Sequence, residues 1–209
     1  PIESLRSNLK AAGWREGVSV TVLSDGEPAL PRLVRNATNA EVHHVLDWWH
    51  VSARIRHVET TFQSLLSQLE SDETPGIEVL VERLRWRIWH GQTSRALDAL
   101  GTLFRFAMRA RECANGWIRE AAMSAAARTL DLQTYLNHNI SAVIDYGRRR
   151  RQGKAVSTSR AEGLVNEIAN VRMGKKQRMR WSPNGAHRVA AVRAAVLDGR
   201  LSGENLCVA

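Results

Sequence analysis

Cysteine, tyrosine and phenylalanine are scarce in these 209 residues, with two, two and three copies respectively. The two cysteines, Cys113 and Cys207, are far apart and form no CxxC pair. That excludes a disulfide scaffold and a cysteine-built zinc module, and it suits a reducing compartment. No apolar run approaches the ~18 residues of a membrane helix, and no secretory leader pattern is present. A cytoplasmic protein without a membrane partner is expected. Acidic residues are also rare in one region. From 148 to 200 there are three (Glu162, Glu167 and Asp198) against fourteen Lys and Arg, within a chain of formal charge +9. So one-sided a block points to a polyanion-facing surface, the other reading being a solvated face.

What is present is enough for a sizeable core, since 44% of the residues are hydrophobic. Ile2, Leu5, Leu9 and Ala12 mark one face of a first helix, closed by Gly13 and Gly17. The β-branched run Val18–Leu23 predicts a strand stopped by Ser24-Asp25-Gly26, and Glu41–Leu46 predicts a second that ends at Asp47-Trp48-Trp49-His50. Pro28–Pro31 starts a short helix between them. From 51 to 146 the apolar spacing is helical throughout, which predicts an all-helical block inserted after the sheet segment. Gly147–Gly153 reads as a basic linker, and Ser157-Thr158-Ser159 as the cap of a helix to about Met173. A basic loop, 174–180, and a closing helix from Asn184 follow. The expected domains are 1–50, 51–146 and 147–209.

Three constellations could carry chemistry. Asp25 and Asp47 at strand ends, with Glu162 on a later helix, could hold divalent metal for phosphodiester chemistry, although Asp followed by Gly is also an ordinary turn. Asp47-x-x-His50, with His43, His44 and His57 nearby, could ligate a metal, or the histidines could simply pack. Among the tryptophans, Trp48 and Trp49 border the site, and Trp86, Trp89 and Trp117 have the spacing of core residues. Trp181, amid Lys175, Lys176, Arg178 and Arg180, could stack a base or pack on the preceding helix.

The segments LSDG, HHVLDWWHVSARIRHVE, WRIWHG, STSRAEGLVNEIANVRM and KKQRMRWSPNGAH span nearly the whole chain. Together, in this order, they resemble bacterial insertion-sequence transposases of the DDE type, most closely the ISKra-like group. The resemblance implies an α/β fold, a partial ribonuclease H-like catalytic domain with a large all-helical insertion. It implies that Asp25 is the second catalytic aspartate and Glu162 the catalytic glutamate, both ligands of Mg²⁺ or Mn²⁺. Asp47 and His50 would be the structural (C or D)-x-x-H motif of insertion-bearing relatives. DNA would be the partner, with a homodimer allowed, and Arg148, Arg149, Arg150, Arg151, Lys175, Lys176, Arg178, Arg180 and Trp181 would contact it.

One departure matters. The family's first aspartate lies on an upstream first strand, and neither Glu3, in a helical pattern, nor Glu16, in a turn, replaces it. The chain, which opens on Pro1, is therefore expected to be the C-terminal part of a transposase that cannot cut DNA alone, because metal binding requires the complete triad. The alternative is a non-catalytic DNA-binding or assembly module, the remnant of a mobile element.

Overall fold

The computed structural model describes residues 2–69, 74–113, 116–173 and 182–199. It divides into two compact units, up to Thr158 and from Ser159 onward. The fold is mostly helical, with a small two-stranded parallel sheet. Lys175, Lys176, Arg178, Arg180 and Trp181 lie outside the described residues. No helix among the described residues is long and apolar enough to cross a membrane.

The first unit opens with helix α1 (Ile2–Ala11), strand β1 (Val20–Ser24), helix α2 (Ala29–Thr38) and strand β2 (Val42–Leu46). The strands are parallel neighbours, with Val20 opposite Val42 and Ser24 opposite Leu46. Val22 and Ser24 of β1 and Val45 and Leu46 of β2 are buried, Val45 and Leu46 on opposite faces of the pair, and α2 contributes the buried Val34 and Ala37. Two strands alone are marginal in water. This pair gains its stability from α2 and from the helices that follow.

Four of those helices form a closed bundle: α3 (Trp48–Leu66), α4 (Thr74–Trp89), α5 (Thr93–Cys113) and α6 (Gly116–His138). Each packs on the next, and α6 returns to α3. The buried stripe of α3 is Val51, Ile55, Val58, Phe62 and Leu65, at helical spacing, and that of α4 is Ile77, Val81, Leu84 and Ile88. Along α5 and α6 the buried positions are often alanine (Ala96, Ala99, Ala107, Ala122, Ala125 and Ala126). Small side chains let these two axes approach closely. Among the described residues of the expected insertion there is no strand, only an isolated bridge between His90 and Asp145.

Two expectations need correction. The stretch 147–153 is not an open linker: helix α7 spans Tyr146–Arg151, capped by Asp145, whose side chain accepts from the Arg148 N–H at 2.7 Å. Arginine is a good helix former, and the cap supplies the nucleus that glycine at either end seemed to deny. Nor are Trp86 and Trp117 core residues, being 54% and 81% exposed. Trp86 lies two positions beyond Leu84, about 200° round the helix from the buried stripe. Trp117 precedes the first buried residue of α6, Ala122.

The second unit comprises α8 (Ser159–Met173) and α9 (Pro183–Leu197), which pack on each other. Ser182 caps α9 by accepting from the Gly185 N–H at 3.1 Å, with Pro183 as the first helical residue.

Candidate functional site

The register that pairs Ser24 with Leu46 puts the next residue of each strand, Asp25 and Asp47, at the same carboxyl edge of the sheet. The Asp47 N–H donates to the Ser24 carbonyl at 2.8 Å, extending the ladder to that edge. Strand ends of this kind are where open parallel sheets expose ligand-binding groups.

Asp47 is fully buried. One carboxylate oxygen accepts from the N–H groups of Trp49 and Thr158, each at 3.1 Å. The other accepts from the Thr158 hydroxyl at 2.5 Å. The Trp49 bond is an N-cap for α3. The Thr158 bonds do something else: they return the chain, after the helical bundle, to the edge of the sheet. The Trp48 N–H donates to the Val156 carbonyl at 3.0 Å beside them. Asp47 is thereby joined to Thr158 as well as lying beside His50, its partner in the D-x-x-H motif.

His50 stands one turn along α3, its Nε2 3.8 Å from the second carboxylate oxygen of Asp47. A single cation could touch both atoms. Asp47 and His50 thus belong to a candidate metal-binding group. An imidazole nitrogen suits a transition-metal ion better than Mg²⁺, which favours oxygen ligands. Glu162 lies in the first turn of α8, in the second unit.

Asp25 faces an open cavity of about 560 Å³, lined also by His44, Arg54, Tyr135, His138 and Asn139. Its carboxylate accepts from the Glu27 N–H at 3.2 Å. Gly26, at φ +103°, carries the chain past α6 so tightly that a Cβ would sit 2.6 Å from the Asn139 Oδ1. Beside it, the Ser24 hydroxyl and His44 Nε2 share a hydrogen bond at 2.8 Å. Burial holds the His44 pKa below the usual histidine value, and the Asp25 charge opposes that only in part. Burial thus favours the neutral imidazole.

The site residues that sequence reasoning missed are the two tyrosines and Thr158. Tyr135 donates its hydroxyl to the Asp25 carbonyl and Tyr146 to the Leu46 carbonyl, both at 2.9 Å. Each of the chain's two tyrosines thus ties the helical region to the end of one strand. Burial raises both pKa values, that of Tyr135 to about 12, so both remain donors at any physiological pH. Arg54 lies over the Tyr135 ring at 4.2 Å and pairs with Asp131 at 3.5 Å. The scarcity of tyrosine was visible in the sequence; nothing there said which backbone carbonyls it would reach.

Of the expected DNA contacts, Arg148–Arg151 form most of α7. Arg149 Nε donates to the Ala155 carbonyl at 2.7 Å, while Arg150 borders a groove with Trp48, Trp86 and Trp89. Comparison with family models, with curated proteins and with solved structures returns no match.

Proposed function

We propose that this chain is the C-terminal portion of a DDE-type transposase of the ISKra-like group. The intact enzyme would bind DNA, cleave a strand at the end of a mobile element and transfer it to target DNA. The observation that carries the reading is the return of the chain at Val156–Thr158 to Asp47. A helical bundle that leaves a parallel sheet edge and comes back to it supports the reading of an insertion in an α/β core, the arrangement the resemblance implies.

Glu162 follows Thr158 by four residues and lies in the first turn of a helix. We take Asp47 and His50 as a pair that can share a cation, with Asp25 and Glu162 as the carboxylates of the catalytic set. A divalent cation held there would activate a water or a 3′-hydroxyl and stabilise the leaving oxygen. The chain's own part is positioning. Thr158 holds Asp47, and Tyr135 holds the Asp25 loop.

Titration of the full chain with Mn²⁺, followed by electron paramagnetic resonance, tests the cation group. One ion at the Asp47–His50 pair is expected even without the upstream aspartate on which the catalytic metal depends, weakened tenfold or more in Asp47→Asn and His50→Ala, with Glu162→Gln as the probe of the catalytic carboxylate. Equal binding in all four proteins would refute the assignment. Duplex DNA binding measured against salt tests the partner. With about six phosphate contacts the log–log slope is on the order of −5, flattened by roughly one unit for each of Lys175, Lys176, Arg178 and Arg180 replaced by Ala. An aspartate on a strand encoded upstream of Pro1 would favour the enzyme over the non-catalytic module.

A further inference from the structure

We infer that the helical bundle carries a site for an unpaired base of single-stranded DNA, with the Trp86 indole as stacking platform and Arg83, Arg87, Arg95 and Arg150 as phosphate contacts. The ligand class comes from the DNA reading above, but none of the metal-site residues and none of the 174–181 segment is involved.

Trp86 is 54% exposed on a helix whose core face is already filled by Leu84 and Ile88. Its ring is held against His90, with centroids 4.6 Å apart, so its orientation is set before any ligand arrives. Two concavities flank it. One, of about 630 Å³, reaches Arg83, Arg87 and Arg95. The other, of about 420 Å³, reaches Trp48, Trp89 and Arg150. Both fall in the size range of small-molecule sites.

Four of these charges have no close carboxylate partner. Arg85, within the second concavity, is neutralised by a two-point pair with Glu59 at 3.0 and 2.7 Å. None of Arg83, Arg87, Arg95 and Arg150 lies within ion-pair distance of a carboxylate among the described residues. Glu82 is the acid that both concavities share. Four guanidinium groups without a carboxylate partner, two of which spend one N–H each on the Arg95 carbonyl and the Gln92 Oε1 at 3.5 Å, surround one exposed indole and match a ligand with phosphates and an accessible π-face. Duplex DNA offers the phosphates, but its bases are stacked on each other. Single-stranded DNA offers both.

The test uses the full chain and a single-stranded oligonucleotide carrying 2-aminopurine, with the duplex of the same sequence as control. Wild type should quench the probe, and Trp86→Ala should weaken single-strand binding by about tenfold, equivalent to about 1.4 kcal/mol of stacking. Duplex binding and melting temperature should be unchanged, because the ring is exposed. Trp86→Phe should restore most of the loss, and Arg87→Ala with Arg95→Ala should flatten the salt slope by about two. Quenching that persists in Trp86→Ala, with duplex binding intact, overturns this site alone. Absence of binding to either DNA at low salt overturns the DNA reading and this site with it. Displacement of the oligonucleotide by polyglutamate, equally in wild type and Trp86→Ala, would mean a surface for acidic chains and refute the base site.

Discussion

Thr158→Val is the most direct probe of the link between the helical bundle and the sheet. The substitution keeps the shape and removes one hydroxyl, leaving the second oxygen of a fully buried Asp47 without its 2.5 Å donor. A hydrogen bond to a charged group contributes about 1.5–3 kcal/mol. For a domain of this size each kcal/mol shifts the melting temperature by about 2–4 °C, so a fall of roughly 3–12 °C is expected. Asp47→Ala should cost more. It removes the α3 cap, worth about 0.5–2 kcal/mol, and orphans both the N–H and the hydroxyl of Thr158, at about 1–3 kcal/mol each. Asp47→Asn separates structure from cation binding, because its amide oxygen can keep the two N–H donors while the charge is lost. Thermal melts followed by circular dichroism, with amide exchange at Trp49 and Thr158, measure all three. A Thr158→Val protein that melts within a degree of wild type, with both amides still protected, would show that the clasp contributes nothing.

Because the folded-state pKa of His44 is lowered from its ordinary 6.5 by burial, the unfolded chain binds the extra proton first as pH falls. Stability should therefore be fully present above about pH 7 and decline below 6.5, and His44→Gln should remove that slope in denaturant titrations from pH 8 to 5. Tyr135→Phe deletes one hydrogen bond to the Asp25 carbonyl and should cost about 1 kcal/mol while quickening amide exchange in residues 25–27. Gly26→Ala meets both a left-handed φ and a 2.6 Å approach to Asn139, and a loss of about 1–3 kcal/mol by chemical denaturation is expected.

Local pattern carried much of the fold. Alternating valines and the Asp-Gly stop located β1, and the 3.6-residue spacing of Val51, Ile55, Val58 and Phe62 located the inward face of α3. Spacing was less informative where a helix has two apolar faces. Trp86 and Leu84 are equally hydrophobic letters, and only the bundle's geometry decides which one is buried. The glycines around Arg148–Arg151 suggested a linker, because the Asp145 cap that starts α7 acts through a side chain and carries no periodicity. At the candidate site, Asp25, Asp47 and His50 were legible as chemistry at the ends of strands. Thr158, Tyr135 and Tyr146 were not. Their partners lie 111, 110 and 100 residues away, and no local rule specifies a contact at that range.

The bond between the Trp48 N–H and the Val156 carbonyl also makes the bundle, seen from the sheet, a loop whose two ends touch. Its length is then almost free of charge to the core. Closing a loop of about a hundred residues costs only about 2 kcal/mol more than closing one of ten, since the entropy grows with the logarithm of length. That is comparable to burying a single leucine. Helices could be lengthened, shortened or exchanged between these two anchor points while the edge carrying Asp25 and Asp47 kept its register. A sheet edge fixed in this way can be paired with many different helical blocks, each bringing its own outer surface to whatever the edge holds.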